Sequence, residues 1–258
     1  STTYDPCFAI SGVSGIGAVI GNPPAKAETF DRQQRAATPF TVFQEIDCSP
    51  VGFWGNAEAL AVDALTRSEM RQVERVFTTG VVGGQITAFP HLAAPANVTQ
   101  NGSLLQSGAT ILTGSPVDIV EAIARLESAL ASCYDGVGVI HMPAAVLPIA
   151  CANYLVERSN AQMKTCSGQL VAAGAGYTGQ APDGSTPAAG TVWLYATGAV
   201  FGYRSDIFVH DPVQGFDRNV DTVKMIAERT YVLGWDCCHF AIPVSLGGVV
   251  SGAFGTAT

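Results

Sequence analysis

The longest regular pattern of apolar and polar positions runs from Asn56 to Gly80 and predicts a long α-helix. Apolar residues recur there at steps of three and four, which places them on one side of a helix. Asn56 is a favourable N-terminal cap, and Gly80 supplies the left-handed conformation that ends many helices. At 1.5 Å per residue such a helix would be roughly 35 Å long. The apolar stripe consists of Val62, Leu65, Val73, Val76 and Phe77, and the opposite face carries Asp63, Arg67, Arg71 and Glu74.

Glu69 interrupts this apolar stripe. One interpretation is that the helix is only partly covered and that the carboxylate reaches water. The alternative is that Glu69 meets an arginine of another subunit. The first interpretation is preferred, because a fully buried and unpaired glutamate is rare.

A second amphipathic helix is predicted between Ser115 and Gly136, with Ser115 as its cap, Pro116 in the first helical position and Asp118 completing a capping box. Beyond it, short apolar runs typical of strands indicate a mixed α/β region. The elements predicted there are a strand at 137–140, a helix at 143–158, strands at 169–173, 192–203 and 207–209, and two strands between 220 and 244 that are broken near 234–236, the first of which could also be helical.

The remaining segments read as arms and loops. Residues 1–35 are rich in Gly and Pro and are predicted to form an arm that lies across something else. Residues 38–48 alternate as a strand does, and their Gly- and Pro-containing flanks suggest one side of a projecting loop. Residues 81–114 contain no Asp, Glu, Lys or Arg. Loops of that length are usually functional or packed against a partner.

The amino-acid composition indicates how the surface is used, because few residues are charged. Charged residues make up 13% of the 258 residues and hydrophobic residues 48%. The apolar stretches are interrupted by prolines such as Pro143 and Pro148, so no transmembrane run is present. We therefore infer that much of the surface contacts other protein subunits. The net charge of −8 excludes a basic nucleic-acid footprint, but it suits a container wall that must not adhere to its contents.

The seven cysteines are odd in number and scattered, which argues against a full disulfide framework and for a reducing compartment. The run 236–239, Asp-Cys-Cys-His, suggests a metal or nucleophile cluster. Adjacent residues of a strand point to opposite faces, however, so buried cysteines that act as small hydrophobes are the preferred interpretation. No local pattern marks a Cys–His nucleophile pair.

Residues 174–179, Gly-Ala-Gly-Tyr-Thr-Gly, have the spacing of a dinucleotide-binding fingerprint. Such a site needs a helix directly after the glycines, so that the amides of its first turn point at the pyrophosphate. Pro182 and the turn at Asp183-Gly184 follow instead. We therefore predict a loop that another segment of backbone approaches closely.

Taken in order, the chain resembles the major capsid proteins of tailed bacteriophages, which have the Hong Kong 97 fold that encapsulins share. It is most similar to the capsid proteins of actinobacterial phages. The residues that carry the resemblance are 40–50 (FTVFQEIDCSP), the long helix through Val73-Glu74-Arg75, 170–179 (LVAAGAGYTG), 193–198 (WLYATG) and 227–231 (AERTY).

The resemblance implies an α+β fold in four parts. These are an N-terminal arm at 1–35, an extended loop at 36–55, a peripheral domain at 56–136 and 211–258 with a long spine helix, and an axial domain at 137–210. It also implies a structural function. Many copies would assemble as pentamers and hexamers into an icosahedral capsid that encloses double-stranded DNA without sequence-specific binding. The virion would be assembled in the host cytoplasm, with portal, scaffold and cement proteins as further partners.

The resemblance implies no enzyme activity, membrane, cofactor, catalytic residue or metal ligand. The candidate intersubunit contacts are Glu69, Arg204, Asp206 and Arg218. Two alternatives from other functional classes stay open. One is an encapsulin-like compartment shell or a capsid cement protein, and the other is a cytosolic enzyme with a cysteine nucleophile.

Overall fold

Helix α1 (Ala57–Thr79) lies against one face of a five-stranded antiparallel sheet. Its apolar stripe faces that sheet, and Leu65 and Phe77 are buried there. The long helix predicted from the sequence is therefore confirmed. The computed structural model describes residues 37–48, 57–94, 98–100, 103–106, 108–210, 216–217 and 222–247.

The predicted end of α1 is also confirmed. Gly80 has φ +69°, and its amide donates a 2.7 Å hydrogen bond to the carbonyl oxygen of Val76. A left-handed glycine at this position closes the last turn, as at many helix ends. The predicted cap Asn56 and the predicted arm at 1–35 lie outside the described residues.

The five-stranded sheet is built on the long strand β15 (Thr222–Trp235). Strand β1 (Phe40–Cys48) pairs along one side of β15 over its whole length, which confirms the strand predicted at 38–48. Phe40 and Val42 point toward α1 and are buried. The other side of β15 pairs in succession with β12 (Val200–Arg204), β13 (Phe208–Val209) and β14 (Phe216–Asp217).

A second, seven-stranded sheet of mixed direction packs against helix α2 (Ile119–Cys133). Ile123, Leu126 and Leu130 of α2 join the larger hydrophobic core on this sheet. The strands lie in the order β6 (Thr110–Ile111), β16 (His239–Ser245), β11 (Thr191–Thr197), β7 (Val139–Pro143), β10 (Leu170–Gly174), β9 (Gln162–Thr165) and β8 (Val156–Ser159). The remaining elements are the short helix α3 (Leu147–Ala152) and two small hairpins, β2 (Val81–Val82) with β3 (Gln85–Ile86) and β4 (Val98–Gln100) with β5 (Ser103–Gln106).

The start predicted for the second helix is wrong by three residues. Val117 is still extended and forms a parallel bridge with Val244, so the chain continues along β16 before it turns. Asp118 is the true cap, since its carboxylate accepts hydrogen bonds from the amides of Val120 and Glu121 over 2.8 and 2.9 Å. The helix ends at Cys133 rather than at the predicted Gly136.

The helix predicted at 143–158 is also wrong for most of its length. Only Leu147–Ala152 is helical, and Val156–Ser159 begins a hairpin with β9. Two residues with left-handed backbone explain the difference. Tyr154 has φ +56° and ends the helix, while Asn160 has φ +58° in the hairpin turn.

Two adjacent chain crossings join the sheets, β11 to β12 through residues 198–199 and β15 to β16 through residues 236–238. The Gly198 amide donates to the Cys237 carbonyl oxygen over 3.1 Å, and the Asp236 amide donates to the Ala199 carbonyl oxygen over 2.9 Å. A Cβ on Gly198 would lie 2.5 Å from the same Cys237 oxygen. Glycine is therefore required where the two crossings touch. The break predicted near 234–236 is confirmed, and the strand predicted at 192–203 is divided at residues 198–199 into β11 and β12.

The predicted domain boundaries do not coincide with the boundaries of the sheets. Helix α2 and strand β16 were assigned to the peripheral part, but both pack in the seven-stranded sheet with residues 139–197. Strands β12 and β13 were assigned to the axial part, but they pair with β15. The reason is long-range pairing, since β16 matches β11 over seven residue pairs that no local pattern reveals.

Candidate assembly surface

The five-stranded sheet has an aromatic face on the side away from α1. Side chains alternate between the two faces of a strand, and Phe43 follows the buried Val42. Phe43 of β1 and Phe208 of β13 both pair with Glu228 of β15, from its two sides. Phe43, Tyr203 and Phe208 are 55%, 74% and 60% exposed. We call Phe43, Phe201, Tyr203 and Phe208 the aromatic face.

Charged and polar groups surround the aromatic face. Lys224 pairs with Glu45 over 2.6 Å, and His210 lies 3.1 Å from Glu228. The ring of His210 also contacts the ring of Phe208 edge-on, with centroids 5.0 Å apart. Aromatic residues at the centre and a polar rim are typical of a protein–protein interface. Contiguous apolar patches of this kind mark interaction sites.

The candidate contacts Arg204 and Asp206 follow Tyr203 along the chain, but Arg204 pairs with Tyr231 and so lies on the α1 side of the sheet, not on the aromatic face. Arg204 is the last residue of β12, Asp206 follows two residues later, and both are exposed. Within the part of the chain that the structure describes, neither takes part in a salt bridge. Both charges are thus open to a neighbouring molecule. Arg218 lies outside the described residues and stays a prediction.

Glu69 does not reach water, so the preferred interpretation from the sequence is wrong. Its side chain is buried, with 5% of the residue exposed, and it lies between α1 and β15. Arg229 Nη1 donates to both carboxylate oxygens over 3.0 and 2.9 Å, and the Tyr231 hydroxyl donates to Oε2 over 2.8 Å. The arginine that the alternative placed in another subunit is therefore in this chain.

The sequence did contain a signal for this pair. Arg229 occupies one position of the alternating row at 223–233 that faces α1, just as Glu69 occupies one position of the helix stripe. One charge in each of two apolar rows that must pack together indicates an ion pair between them. The two charges lie 160 residues apart, so only the predicted packing of the helix on the strand could have connected them.

The glycine-rich run 174–179 holds α1 against the seven-stranded sheet. The Gly176 amide donates to Glu74 Oε2 over 2.9 Å. A Cβ on Gly176 would overlap the Arg71 carbonyl oxygen and lie 2.8 Å from the Arg75 amide nitrogen. A Cβ on Gly174 would overlap the Glu74 carboxylate. The close backbone approach predicted from the sequence is confirmed.

Burial raises the pKa of Glu74 above its ordinary value, and the Gly176 hydrogen bond offsets this only in part. A carboxylate whose pKa is higher in the folded chain favours folding most at low pH, and the benefit is lost as pH rises through the folded pKa. We therefore expect the stability of the wild-type chain relative to Glu74→Gln to fall as pH rises from about 4 to 7. Urea unfolding of both proteins at the two pH values measures this difference. A difference independent of pH would contradict the assignment.

A buried aromatic cluster fills the space between the two sheets, around His141 of β7. His141 Nδ1 lies 3.3 Å from the Tyr177 hydroxyl, Nε2 lies 2.9 Å from Thr197 Oγ1, and the ring packs against Phe77. Burial lowers the pKa of His141 to about 3, and repulsion from His239 adds to the effect. His141 is therefore neutral at physiological pH, with both ring nitrogens already in polar contacts. Its ring links β7 to Thr197 of β11 and to Tyr177 of the glycine-rich run.

The fold has known counterparts. The capsid of an empty GTA particle superposes with a TM-score of 0.50 at 14% identity, covering 85% of this chain and 79% of that chain. This chain has a capsid-protein fold. The α+β class and the Hong Kong 97-type capsid fold predicted from the sequence are therefore confirmed.

Two further solved structures resemble the capsid fold of this chain less closely. A protein of Gordonia phage Cozz has a TM-score of 0.47 at 12% identity, covering 88% of this chain and 80% of its own. The holo-SrpI encapsulin complex from Synechococcus elongatus PCC 7942 has a TM-score of 0.49 at 9% identity, covering 81% of this chain and 75% of that chain. No protein-family profile and no curated protein matches the sequence. The similarity to actinobacterial phages in particular stays a prediction.

The described helices can be compared with the length and hydropathy that a membrane-spanning helix needs. Among the described helices of this capsid fold, none is both long enough and apolar enough to span a bilayer.

Proposed function

We propose that the chain is the structural subunit of an icosahedral capsid, which self-assembles around the double-stranded DNA of a tailed phage. The observation that carries the proposal is the fold shared with the capsid of the GTA particle over 85% of this chain. The aromatic face supports it, because an exposed surface of this kind needs a partner. The low charged fraction of 13% fits a chain whose surface is largely covered in an assembly. The role is structural and not catalytic.

The proposed partners are first of all other copies of the chain, arranged as pentamers and hexamers. The unit of α1 and the five-stranded sheet would be the peripheral part of the subunit, and the seven-stranded sheet with α2 the axial part. Arg204, Asp206 and Arg218 would form further intersubunit contacts outside the aromatic face. Portal, scaffold and cement proteins would join the shell during its assembly in the host cytoplasm.

The driving force would be burial of apolar surface at interfaces that symmetry repeats. Burial stabilises by roughly 25 cal/mol for each Å² of apolar area, so each buried aromatic side chain contributes on the order of 2 kcal/mol. In a closed shell of pentamers and hexamers every subunit makes closely similar contacts with its neighbours. Individually weak contacts thus add to a durable particle.

Changing the centre of the aromatic face tests the proposal. We expect the double variant Phe43→Asp, Phe208→Asp to fold but to form few or no shells, because it places carboxylates where apolar contact is needed. Both residues are exposed in the subunit, so its unfolding free energy should change by no more than about 0.5 kcal/mol for each substitution. Particle yield by light scattering and negative-stain microscopy is the measurement, with circular dichroism as the check on folding.

The conservative variant Phe208→Tyr is the matched control and should assemble as the wild type does. Shells formed by the double variant in normal yield would contradict an interface at the aromatic face. Shells that form and enclose protein instead of DNA would support the encapsulin-like alternative for the same fold.

A further inference from the structure

The cysteine sulfurs that lie close together where α2 ends belong to disulfides. Cys133 and Cys238 form one disulfide, which closes a sequence separation of 105 residues, and Cys237 is disulfide-bonded as well. Cys238 lies between β15 and β16 and has φ +73°, a left-handed conformation that is uncommon for residues other than glycine. The expectation that Cys237 and Cys238 act only as small hydrophobes is therefore wrong.

A row of three arginines runs along the side of α1 that points away from the five-stranded sheet. Arg67, Arg71 and Arg75 follow one another at steps of four residues, and all three are exposed. Each lies two residues after a member of the buried row, which consists of Ala61, Leu65, Glu69, Val73 and Phe77. Two residues correspond to about 200° of rotation in an α-helix, so the two rows lie on opposite sides of α1. We call Arg67, Arg71 and Arg75 the arginine row.

The arginine row is a local excess of positive charge in an acidic chain. The sequence contains 13 Lys and Arg against 21 Asp and Glu, and the row holds three of those cations. Arg67 forms a salt bridge with Asp63 one turn earlier. Among the described residues, no acidic side chain forms a salt bridge with Arg71 or Arg75. Two of the three charges are thus open to an anionic partner.

Interactions within the subunit do not account for the row. Basic side chains complement the negative end of a helix when they lie in its last turn, but the last turn of α1 contains no basic residue. Glu74 is the acidic residue beside the row in the sequence. Its side chain is partly buried against the glycine-rich run, where Oε2 accepts the hydrogen bond of the Gly176 amide. The row therefore faces outward from the helix.

We propose that the arginine row contacts the phosphate backbone of the double-stranded DNA that the shell encloses. This inference rests on the proposed function, since only a shell subunit meets enclosed DNA. The aromatic face and α1 lie on opposite sides of the five-stranded sheet. A neighbouring subunit that covers the aromatic face therefore leaves the arginine row uncovered.

The spacing and chemistry of the row fit a phosphate backbone. Eight residues of helix separate Arg67 from Arg75, a distance of about 12 Å. One strand of a DNA duplex places roughly three or four phosphates over that length, at about 3.4 Å for each. A guanidinium group binds a phosphate through two parallel N–H donors. Such contacts do not read the base sequence, so the row suits DNA of any sequence.

The acidic balance of the rest of the chain limits this contact. With a net charge of −8, most of the subunit repels DNA, so the attraction is confined to the arginine row. One subunit therefore binds DNA weakly. A shell repeats the row in every subunit, and the contacts add along the enclosed DNA without holding it tightly at any one point.

Binding of a short, fluorescently labelled DNA duplex to the unassembled full-length subunit tests the proposal. Fluorescence anisotropy gives the binding constant at increasing salt. We expect binding at low salt, with a slope of log K against log salt of about −2.7, which corresponds to three phosphate contacts. The triple variant Arg67→Gln, Arg71→Gln, Arg75→Gln should lose this binding, and circular dichroism checks that it folds.

The matched control removes the same charge elsewhere. Its substitutions lie on α2 and on the hairpin of β8 and β9, and they are Arg125→Gln, Arg158→Gln and Lys164→Gln. This variant should bind the duplex nearly as the wild type does. An equal loss in both triple variants would overturn the proposal, because net charge alone would then explain the binding. Wild-type protein that does not bind at low salt, or a row variant that binds as the wild type does, would also overturn it.

Polyglutamate serves as a second probe, since an acidic protein partner would offer carboxylates in place of phosphates. A row that binds polyglutamate but not the duplex would overturn the proposal and assign the row to a protein partner. Shell formation is followed separately by light scattering. Shells from a subunit that does not bind the duplex would overturn this inference and leave the proposed function standing. Duplex binding at the row without shells would support the contact and contradict the proposed function.

Discussion

Replacing Arg229 with methionine is expected to lower the free energy of unfolding by about 3–5 kcal/mol. The substitution keeps most of the side-chain volume but leaves the Glu69 carboxylate buried between α1 and β15 without a counter-charge. The side chains of Arg229 and Glu69 are only 14% and 7% exposed, so water cannot replace the lost partner. Tyr231 would still donate one hydrogen bond, which is too little to stabilise a buried charge. Urea unfolding of the unassembled subunit measures the loss.

The matched control is Arg67→Met on the same helix. Arg67 pairs with Asp63 one turn away, but its side chain is 78% exposed. Exposed pairs of this kind contribute about 0.3–0.5 kcal/mol. The double variant Glu69→Met, Arg229→Met should be more stable than Arg229→Met alone, because it removes the buried carboxylate that Arg229→Met leaves without a counter-charge. If Arg229→Met costs no more than Arg67→Met, the buried pair does not hold the helix to the sheet.

Gly176→Ala is expected to cost about 1–3 kcal/mol, as overpacking of a close contact usually does. The new Cβ would overlap the Arg71 carbonyl oxygen, so α1 or the loop must move and the bond from the Gly176 amide to Glu74 must stretch. Both segments are fixed elsewhere, α1 by the five-stranded sheet and the loop by β10. The free energy of unfolding measures the cost. Amide hydrogen exchange in the last turns of α1 shows whether the helix is the segment that moves.

Gly114→Ala is the control for this prediction. A Cβ on Gly114 would meet nothing within 4 Å. Both substitutions restrict the unfolded chain equally, so their difference isolates the steric contact. Equal stability of the two variants would mean that α1 and the glycine-rich loop are not in firm contact.

The spacing of apolar residues predicted those elements whose pattern and ends are visible in their own sequence. The stripe of α1 and the left-handed Gly80 fixed that helix to within one residue at each end. The break between β15 and β16 was also visible, because the alternation stops at residues 234–236. The helix predicted at 143–158 is wrong beyond Ala152, because the left-handed Tyr154 ends it and the left-handed Asn160 turns the chain into a hairpin, and no local pattern marks either conformation.

Contacts between distant segments could not be predicted in the same way. The position of Glu69 in an apolar stripe is unusual, but its partner Arg229 lies 160 residues away in the sequence. The convergence of Cys133 with Cys238 depends on a turn conformation that Cys rarely adopts. The sequence predicted a surface in contact with other subunits from the low number of charged residues, but it did not predict the aromatic face itself. Its location became visible once the register of β1 and β13 on β15 was known.

The central claim is that many copies of this chain build a shell. The most direct measurement is the mass and appearance of the purified wild-type protein, by light scattering and negative-stain microscopy over a range of salt and protein concentrations. The account predicts closed shells, or rings of five and six subunits that convert to shells. A protein that stays a monomer or dimer under all of these conditions would contradict it.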